Sequence, residues 1–387
     1  MLLTIIIFLI VLSVLVIAHE LGHFLTARRF GVKAEEFGFG FPPRAFGVYK
    51  NTLNKWRLVW GTKEITDSPG TIYSINWLPL GGFVKIKGEN GEAEAEMDSF
   101  SSRKIWQRAI MLSAGVIMNV VLAGVLISVG FMIGLPQALD GKLDARAHLS
   151  EQKIQIIQVV PDSPAAAAKL QVGDTILSVD NQNFVGLADL QTYVNSKTGQ
   201  QLDYKIKRAG ENLDVLITPV LLADTGKGGI GIAITETGIV SYPWYWAIIE
   251  GFKTTFILIW AILVAFYELL KGLIFGQGVA ADLSGPVGIA VLTGEVARMG
   301  FVYLLQFTAL LSINLAVINF FPFPALDGGR ILFLIIEKFK GRPVKREVEG
   351  AIHNIGFALL MLLVLVVTFR DVSRFSDVFK NIWSKFF

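Results

Sequence analysis

The apolar residues of this 387-residue chain are gathered into long runs, and those runs decide what it can fold into. The first, Met1 to Ala18, carries no charge, and with Leu21–Ala27 it exceeds the ~20 residues a helix needs to cross a bilayer. The second extends from Ala109 to Leu135 and is rich in Gly, Ala and Ser, the small residues that let membrane helices pack closely. A third covers Val302–Phe321 and a fourth Ala351–Phe369. A fifth stretch, Tyr245–Phe275, is apolar but carries Glu250, Lys253, Glu268 and Lys271. With 53% hydrophobic and 17% charged residues, the chain holds more apolar surface than one globular core buries. No basic segment precedes the first run and no small-residue cleavage site follows it, so it reads as a span and not as a signal peptide.

Basic residues orient the spans. Arg28, Arg29, Lys33, Arg44, Lys50, Lys55, Arg57 and Lys63 lie between the first two runs, with Arg103, Lys104 and Arg108 against the second. Arg330, Lys338, Lys340, Arg342, Lys345 and Arg346 lie between the third and fourth. Both groups belong in the cytoplasm. Four spans satisfy this, with both termini and residues 136–300 outside. A spanning Tyr245–Phe275 would export the second basic loop, so that stretch is expected at the interface or packed on the bundle.

Part of the outer loop changes character. Over residues 154–219, alternating apolar segments (IQIIQVV, TILSVD, LDYKIKR, LDVLITP) surround two short helical stretches. The run SPAAAAKLQVGDTILSVDNQNF followed by LADLQTYVNS, with Ser163-Pro164, Leu170, the Gly173-Asp174 turn and Ile176, resembles a PDZ domain. The loop has room for one copy, since Leu222–Ser241 is too short for a second. The expected division is residues 1–135 (two spans and a β region), 142–222 (PDZ), 244–300 (interfacial segment) and 301–387 (two spans).

Composition narrows the chemistry. Cysteine is absent, which excludes disulfides, thiolate nucleophiles and Cys-ligated metals. A net charge of +3 without a long basic block gives no nucleic-acid surface. The four histidines are His19, His23, His148 and His353, so a metal site must draw on carboxylates.

Two of those histidines fall in His19-Glu20-Leu21-Gly22-His23, the H-E-x-x-H pattern, inside the first apolar run. Residues i and i+4 share a helix face, so both imidazoles can meet one zinc ion while Glu20 serves as general base. Three ionisable side chains in an apolar span are costly unless they serve such a site. Catalytic zinc takes a third protein ligand and keeps a fourth position open. His148 lies in the outer loop and His353 at the far end of the fourth span, so neither is expected to be well placed. Asp327, in Asn319-Phe-Phe-Pro-Phe-Pro-Ala-Leu-Asp327-Gly-Gly at the cytoplasmic end of the third span, is the better candidate. Pro322 and Pro324 break the helix there, and Gly328-Gly329 permits close backbone approach. The alternative for Asp327 is an N-cap of the helix that follows.

HELGH in the first span together with NFFPFPALDGG after the third resembles the site-2 protease family of intramembrane zinc metalloproteases, and its bacterial regulator-of-sigma-E protease group. GFGFPP (Gly38–Pro43), PLGGFVKIKG (Pro79–Gly88), SAGVIMN (Ser113–Asn119) and LSGPVGIA (Leu283–Ala290) add to the likeness. The resemblance implies an α-helical polytopic membrane protein with a membrane-associated β-hairpin region and an inserted extracytoplasmic PDZ domain, in the bacterial inner membrane. It implies Zn2+ held by His19, His23 and Asp327, with Glu20 as catalytic base. It further implies that Asn314 and Asn319 line the site, and that Gly82, Phe83, Val84 and Lys85 form an edge pairing with an unwound substrate. The expected partners are the lipid bilayer, single-span membrane proteins such as anti-sigma factors and remnant signal peptides, and peptide C-termini at the PDZ domain. The alternative from another class is a non-catalytic PDZ-bearing receptor or adaptor with a structural metal.

Overall fold

The computed structural model describes residues 2–63, 65, 70–89, 96–139, 144–184, 186–208, 210–222, 226–276 and 284–374. Met1, Asp140–Leu143, Leu283 and the C-terminal end of the chain lie outside the described residues, and with them the start of LSGPVGIA and the expected placement of both termini. The chain opens with α1 (Leu2–Arg29), β1 (Ala34–Lys50), β2 (Trp56–Trp60), β3 (Ile72–Ile86) and α2 (Ile105–Ile133). Next come β4 (Leu135–Ala138), β5 (His148–Val159), α3 (Pro164–Ala167), β6 (Thr175–Val179), α4 (Leu187–Ser196), β7 (Leu202–Arg208) and β8 (Glu211–Ile217). The remainder is β9 (Val220–Leu221), β10 (Gly228–Gly229), β11 (Ile232–Ser241), α5 (Trp244–Ile274), α6 (Pro286–Met299), α7 (Phe301–Phe320), α8 (Asp327–Lys340) and α9 (Arg346–Arg374). The chain divides into one compact unit of residues 1–127 and 251–387 and another of residues 128–250.

Among the described residues five helices are long and apolar enough to cross a membrane: 3–29, 105–133, 244–272, 301–320 and 346–373. Four of them cover the apolar runs expected to span. The fifth is α5, a single uninterrupted 31-residue helix whose charged residues do not break it. In a bilayer every backbone amide must be bonded within the protein, which is why these runs form helices.

Helix α1 stops where its sequence stops being apolar. Gly31 takes φ 69°, the Gly31 N–H donates to the Arg28 carbonyl (3.1 Å) and the Val32 N–H to the Ala27 carbonyl (2.9 Å). This is the glycine-terminated Schellman closure. The chain then enters a three-stranded sheet ordered β2-β1-β3, in which β1 is central and β3 bends back on itself. Phe37 of β1 therefore faces Tyr73 on one pass of β3 and Val84 on the other. The second pass, Gly82–Ile86, lies at an edge.

Helices α1 and α2 run antiparallel at close range. A Cβ added to Gly22 would lie 2.6 Å from the Ala114 carbonyl carbon and 2.9 Å from the Gly115 nitrogen, so only glycine fits there.

The second unit is built on a six-stranded sheet ordered β4-β11-β5-β6-β7-β8. Alternate residues Ile154, Ile156, Leu202, Tyr204 and Ile206 point into its core with Leu170, Ile176, Leu190 and Val194. Ser163 caps α3 through the Ala166 N–H, and Asp174, 1% exposed, accepts from Arg208 at 2.6 and 2.7 Å. The unit takes in more chain than the expected 142–222. Strand β11 pairs with β5 over most of its length and with β4 on its other side. Its alternating pattern, IAITETGIVS, lies within Leu222–Ser241, beyond the expected boundary.

Candidate metal centre

Helix α1 carries His19 and His23 one turn apart, each 8% exposed. Their Nε2 atoms lie 3.2 Å from each other, and Asp327 Oδ2 is 3.0 Å from that of His19 and 3.4 Å from that of His23. One ligand atom from each of the three residues falls within 4.8 Å of the others. Asp327 is 308 positions from His19 and arrives through a tight turn. After α7 ends, Leu326 N–H donates to the Phe323 carbonyl (3.2 Å) and Gly329 N–H to the Leu326 carbonyl (3.0 Å). A Cβ on Gly328 would fall 2.6 Å from the Phe320 carbonyl carbon and one on Gly329 2.9 Å from that of Phe323, which explains the paired glycines. Leu326, not Asp327, is the N-cap residue of α8, and Asp327 is left free to face the imidazoles.

The donor set fits a divalent cation. His23 Nδ1 lies 2.8 Å from the Met111 carbonyl oxygen, which can only accept, so Nδ1 carries a proton there. Asp327 Oδ2 is buried and receives no hydrogen bond of acceptable geometry, although two imidazole nitrogens stand close to it. Lone pairs converging without a directed proton repel unless a cation joins them. Two imidazoles and a carboxylate are ligands that zinc accepts.

Glu20 sits between the two histidines in sequence, and its Oε2 accepts from the Val84 N–H at 3.1 Å. Gly115 of α2 is packed against both imidazoles, and a Cβ there would lie 2.7 and 2.8 Å from ring atoms of His19. Asn119, 0% exposed, places its side-chain nitrogen 3.3 Å from His19 Nδ1. Ser312 of α7 donates to the Asn119 backbone carbonyl at 2.8 Å.

Of the remaining expected residues, Gly82, Phe83, Val84 and Lys85 form the edge pass of β3. Asn314 turns its amide back to the Leu310 carbonyl (3.0 Å) on its own helix. Asn319 is partly buried near the end of α7. His353 is no ligand. Its Nδ1 accepts from the Ala325 N–H at 2.8 Å and fastens α9 to the turn that delivers Asp327. Sequence reasoning missed Gly115, Asn119 and His353, although the first two lie in the SAGVIMN motif.

Apolar spanning helices that bring H-E-x-x-H against a distant aspartate define a membrane-embedded metallopeptidase. The chain matches Peptidase family M50 over residues 7–363, and it belongs to that family. It is 32% identical to the regulator of sigma-W protease RasP of Bacillus subtilis, with 96% of this chain and 98% of that one covered. It is 30% identical to the regulator of sigma-E protease RseP of Escherichia coli, with 95% and 98% covered. Among solved structures it is similar to the PDZ domain of an SdrC-like protein from Listeria innocua, at 30% identity, 21% of this chain, 92% of that one and a TM-score of 0.20.

Proposed function

We propose that this protein is an intramembrane zinc endopeptidase that cuts single-span membrane proteins within or beside their transmembrane helix, with His19, His23 and Asp327 as zinc ligands and Glu20 as catalytic base. Anti-sigma factors and remnant signal peptides are the substrate classes, the first in keeping with the names of the sigma-W and sigma-E protease relatives.

When bound, zinc supplies Lewis-acid chemistry for peptide hydrolysis. Glu20 takes one proton from the attacking water and returns it to the leaving amine, so the carboxylate ends as it began. The Val84 N–H holds one carboxylate oxygen and leaves the other for that proton. A helical substrate hides its peptide bonds and must be unwound before cutting. Lys87 N–H donates toward β1, at the Lys33 carbonyl (2.9 Å), whereas Val84 N–H donates away from it, to Glu20. Strand alternation therefore turns the backbone groups of Gly82 and Val84 toward the site, as strand addition requires. Asn314 and Asn319 contribute amides for substrate backbone or the developing oxyanion.

The site also bears on topology. His19 lies about 26 Å along α1 from Leu2 at ~1.5 Å per residue, so the metal ligands sit toward the cytoplasmic end of α1. Asp327 follows the C-terminal end of α7, so α7 runs the same way as α1, from outside to inside. Helix α2 runs back outward. If α5 crossed, α6 would have to cross again, yet its 14 residues rise only about 21 Å. We therefore read α5 as lying on the outer side or against the bundle, with the PDZ-like unit outside, able to bind peptide C-termini.

The observation that carries the proposal is the convergence of His19, His23 and Asp327 beside Glu20. The test is cleavage of a single-span substrate in proteoliposomes by wild type and Glu20→Gln. Loss of cleavage with zinc retained is the expected result, and wild-type cleavage by Glu20→Gln would overturn the mechanism.

A further inference from the structure

We propose that Asn119 is a positioning residue for His19, its side-chain oxygen accepting the His19 Nδ1 proton so that Nε2 is held as a bare lone pair facing Asp327. The inference rests on the zinc-peptidase reading and goes beyond its ligand set. Asn119 is fully buried on α2, with its amide nitrogen 3.3 Å from His19 Nδ1 and its Oδ1 without any hydrogen-bond partner.

Taken as it stands, that amide donates to Nδ1. A neutral His19 must then carry its proton on Nε2, the nitrogen 3.0 Å from Asp327 Oδ2, and such a nitrogen cannot ligate a metal. Rotating the amide end by 180° exchanges oxygen and nitrogen without changing its shape. The partnerless oxygen then accepts from Nδ1–H, and the Nε2 lone pair faces the carboxylate and His23. The same helix already treats the other imidazole this way, since the Met111 carbonyl accepts from His23 Nδ1 at 2.8 Å. Helix α2 thus offers one oxygen to each histidine, a backbone carbonyl to His23 and a side-chain carbonyl to His19. Ser312 holds the Asn119 backbone from α7 at 2.8 Å, which fixes the position from which the amide acts.

Acceptor and donor roles separate on substitution. Aspartate keeps the oxygen and loses the donor, whereas leucine fills the space and loses both. The experiment measures zinc affinity of the full-length, detergent-purified chain by competition with a chromophoric chelator. Metal-free thermal melts of each variant report on folding. Asn119→Leu should weaken zinc binding about 10–100-fold, the usual cost of losing a histidine's outer partner, while Asn119→Asp keeps or tightens it. If the leucine variant fails to fold, Asn119→Ala is read in its place. Equal weakening in the aspartate variant, or wild-type affinity in the leucine or alanine variant, overturns the assignment. A wild-type chain that takes up no zinc overturns the peptidase reading instead, so the two failures are distinguishable.

Discussion

The backbone N–H of Val84 donates to Glu20 Oε2 across 3.1 Å, joining the edge of β3 to the H-E-x-x-H helix. That bond fixes where the carboxylate points and uses one of the donors on the strand edge. Proline at an outward-facing edge position removes the N–H and spares the ladder to β1. Val84→Pro should therefore cut the cleavage rate about tenfold, in line with a hydrogen bond to a charged group, while Val84→Ala stays near wild type. Cleavage rates on one membrane substrate decide it, and equal rates for the two variants would remove Val84 from the mechanism.

Gly115 is held to glycine by the imidazoles. Alanine in a helix interior is favoured over glycine by about 1 kcal/mol, so Gly115→Ala should not weaken α2 as a helix. Its Cβ, however, would press to within 2.7 and 2.8 Å of His19 ring atoms. The expected outcome is a folded protein with reduced zinc content, read by elemental analysis beside a thermal melt. Full zinc occupancy would show that the rings can shift without loss.

His353 anchors the turn that ends in Asp327. Ala325 stands at φ 81°, a conformation that alanine seldom adopts, and the bond from its N–H to His353 Nδ1 helps hold it there. His353→Leu removes the acceptor and should cost about 1 kcal/mol of stability together with activity. His353→Gln, which can still accept, should recover part of both. Identical kinetics for the leucine variant and wild type would confine His353 to packing against Phe333.

The histidine pair was legible because helical spacing alone places i and i+4 on one face. Asp327 was legible through its neighbours, since two prolines and two glycines announce a chain break where a carboxylate can be delivered. What could not be read are relationships made by tertiary contact. Val84 meets Glu20 across 64 positions, and nothing in PLGGFVK encodes a helix partner. His353 looked idle because its partner is a backbone N–H. Leu222–Ser241 is too short for a second PDZ copy, which sets the expected boundary at 222, yet the period-two pattern of β11 completes the sheet of the first. Length and apolarity alone would make α5 a span, and it is the basic residues after α7, together with the direction of α7, that argue otherwise.

The sheet that carries the edge strand should respond to acid. Burial pushes the Glu36 carboxyl up, but hydrogen bonds from Arg44 at 2.6 and 2.9 Å and the charge of Lys85 outweigh it, leaving the group below its ordinary value of 4.5. A carboxylate depressed in the folded state stabilises above its unfolded pKa, and that contribution is lost as pH falls through the folded value. Metal-free thermal stability should therefore drop on acidification below about pH 4.5 more steeply in wild type than in Glu36→Gln. The variant should be less stable than wild type at neutral pH, and parallel pH curves would exclude the Glu36–Arg44 pair as a contributor.

The absence of native cysteine gives a direct test of how the chain threads the bilayer, because each introduced thiol is unique. Lys55, Gln201 and Arg342 are exposed positions in the β1–β2 connection, the PDZ-like unit and the α8–α9 connection. If α1 and α7 run in the same direction and α5 does not cross, Lys55→Cys and Arg342→Cys share the cytoplasmic side. An impermeant maleimide added to intact cells stripped of their outer barrier should then label Gln201→Cys alone, and label the other two only after permeabilisation. Were α5 a true span, Arg342 would lie on the face opposite Lys55, and Asp327 could reach His19 only by passing back through the membrane. Labelling of Arg342→Cys from outside would therefore overturn the topology and the parallel course of α1 and α7 together.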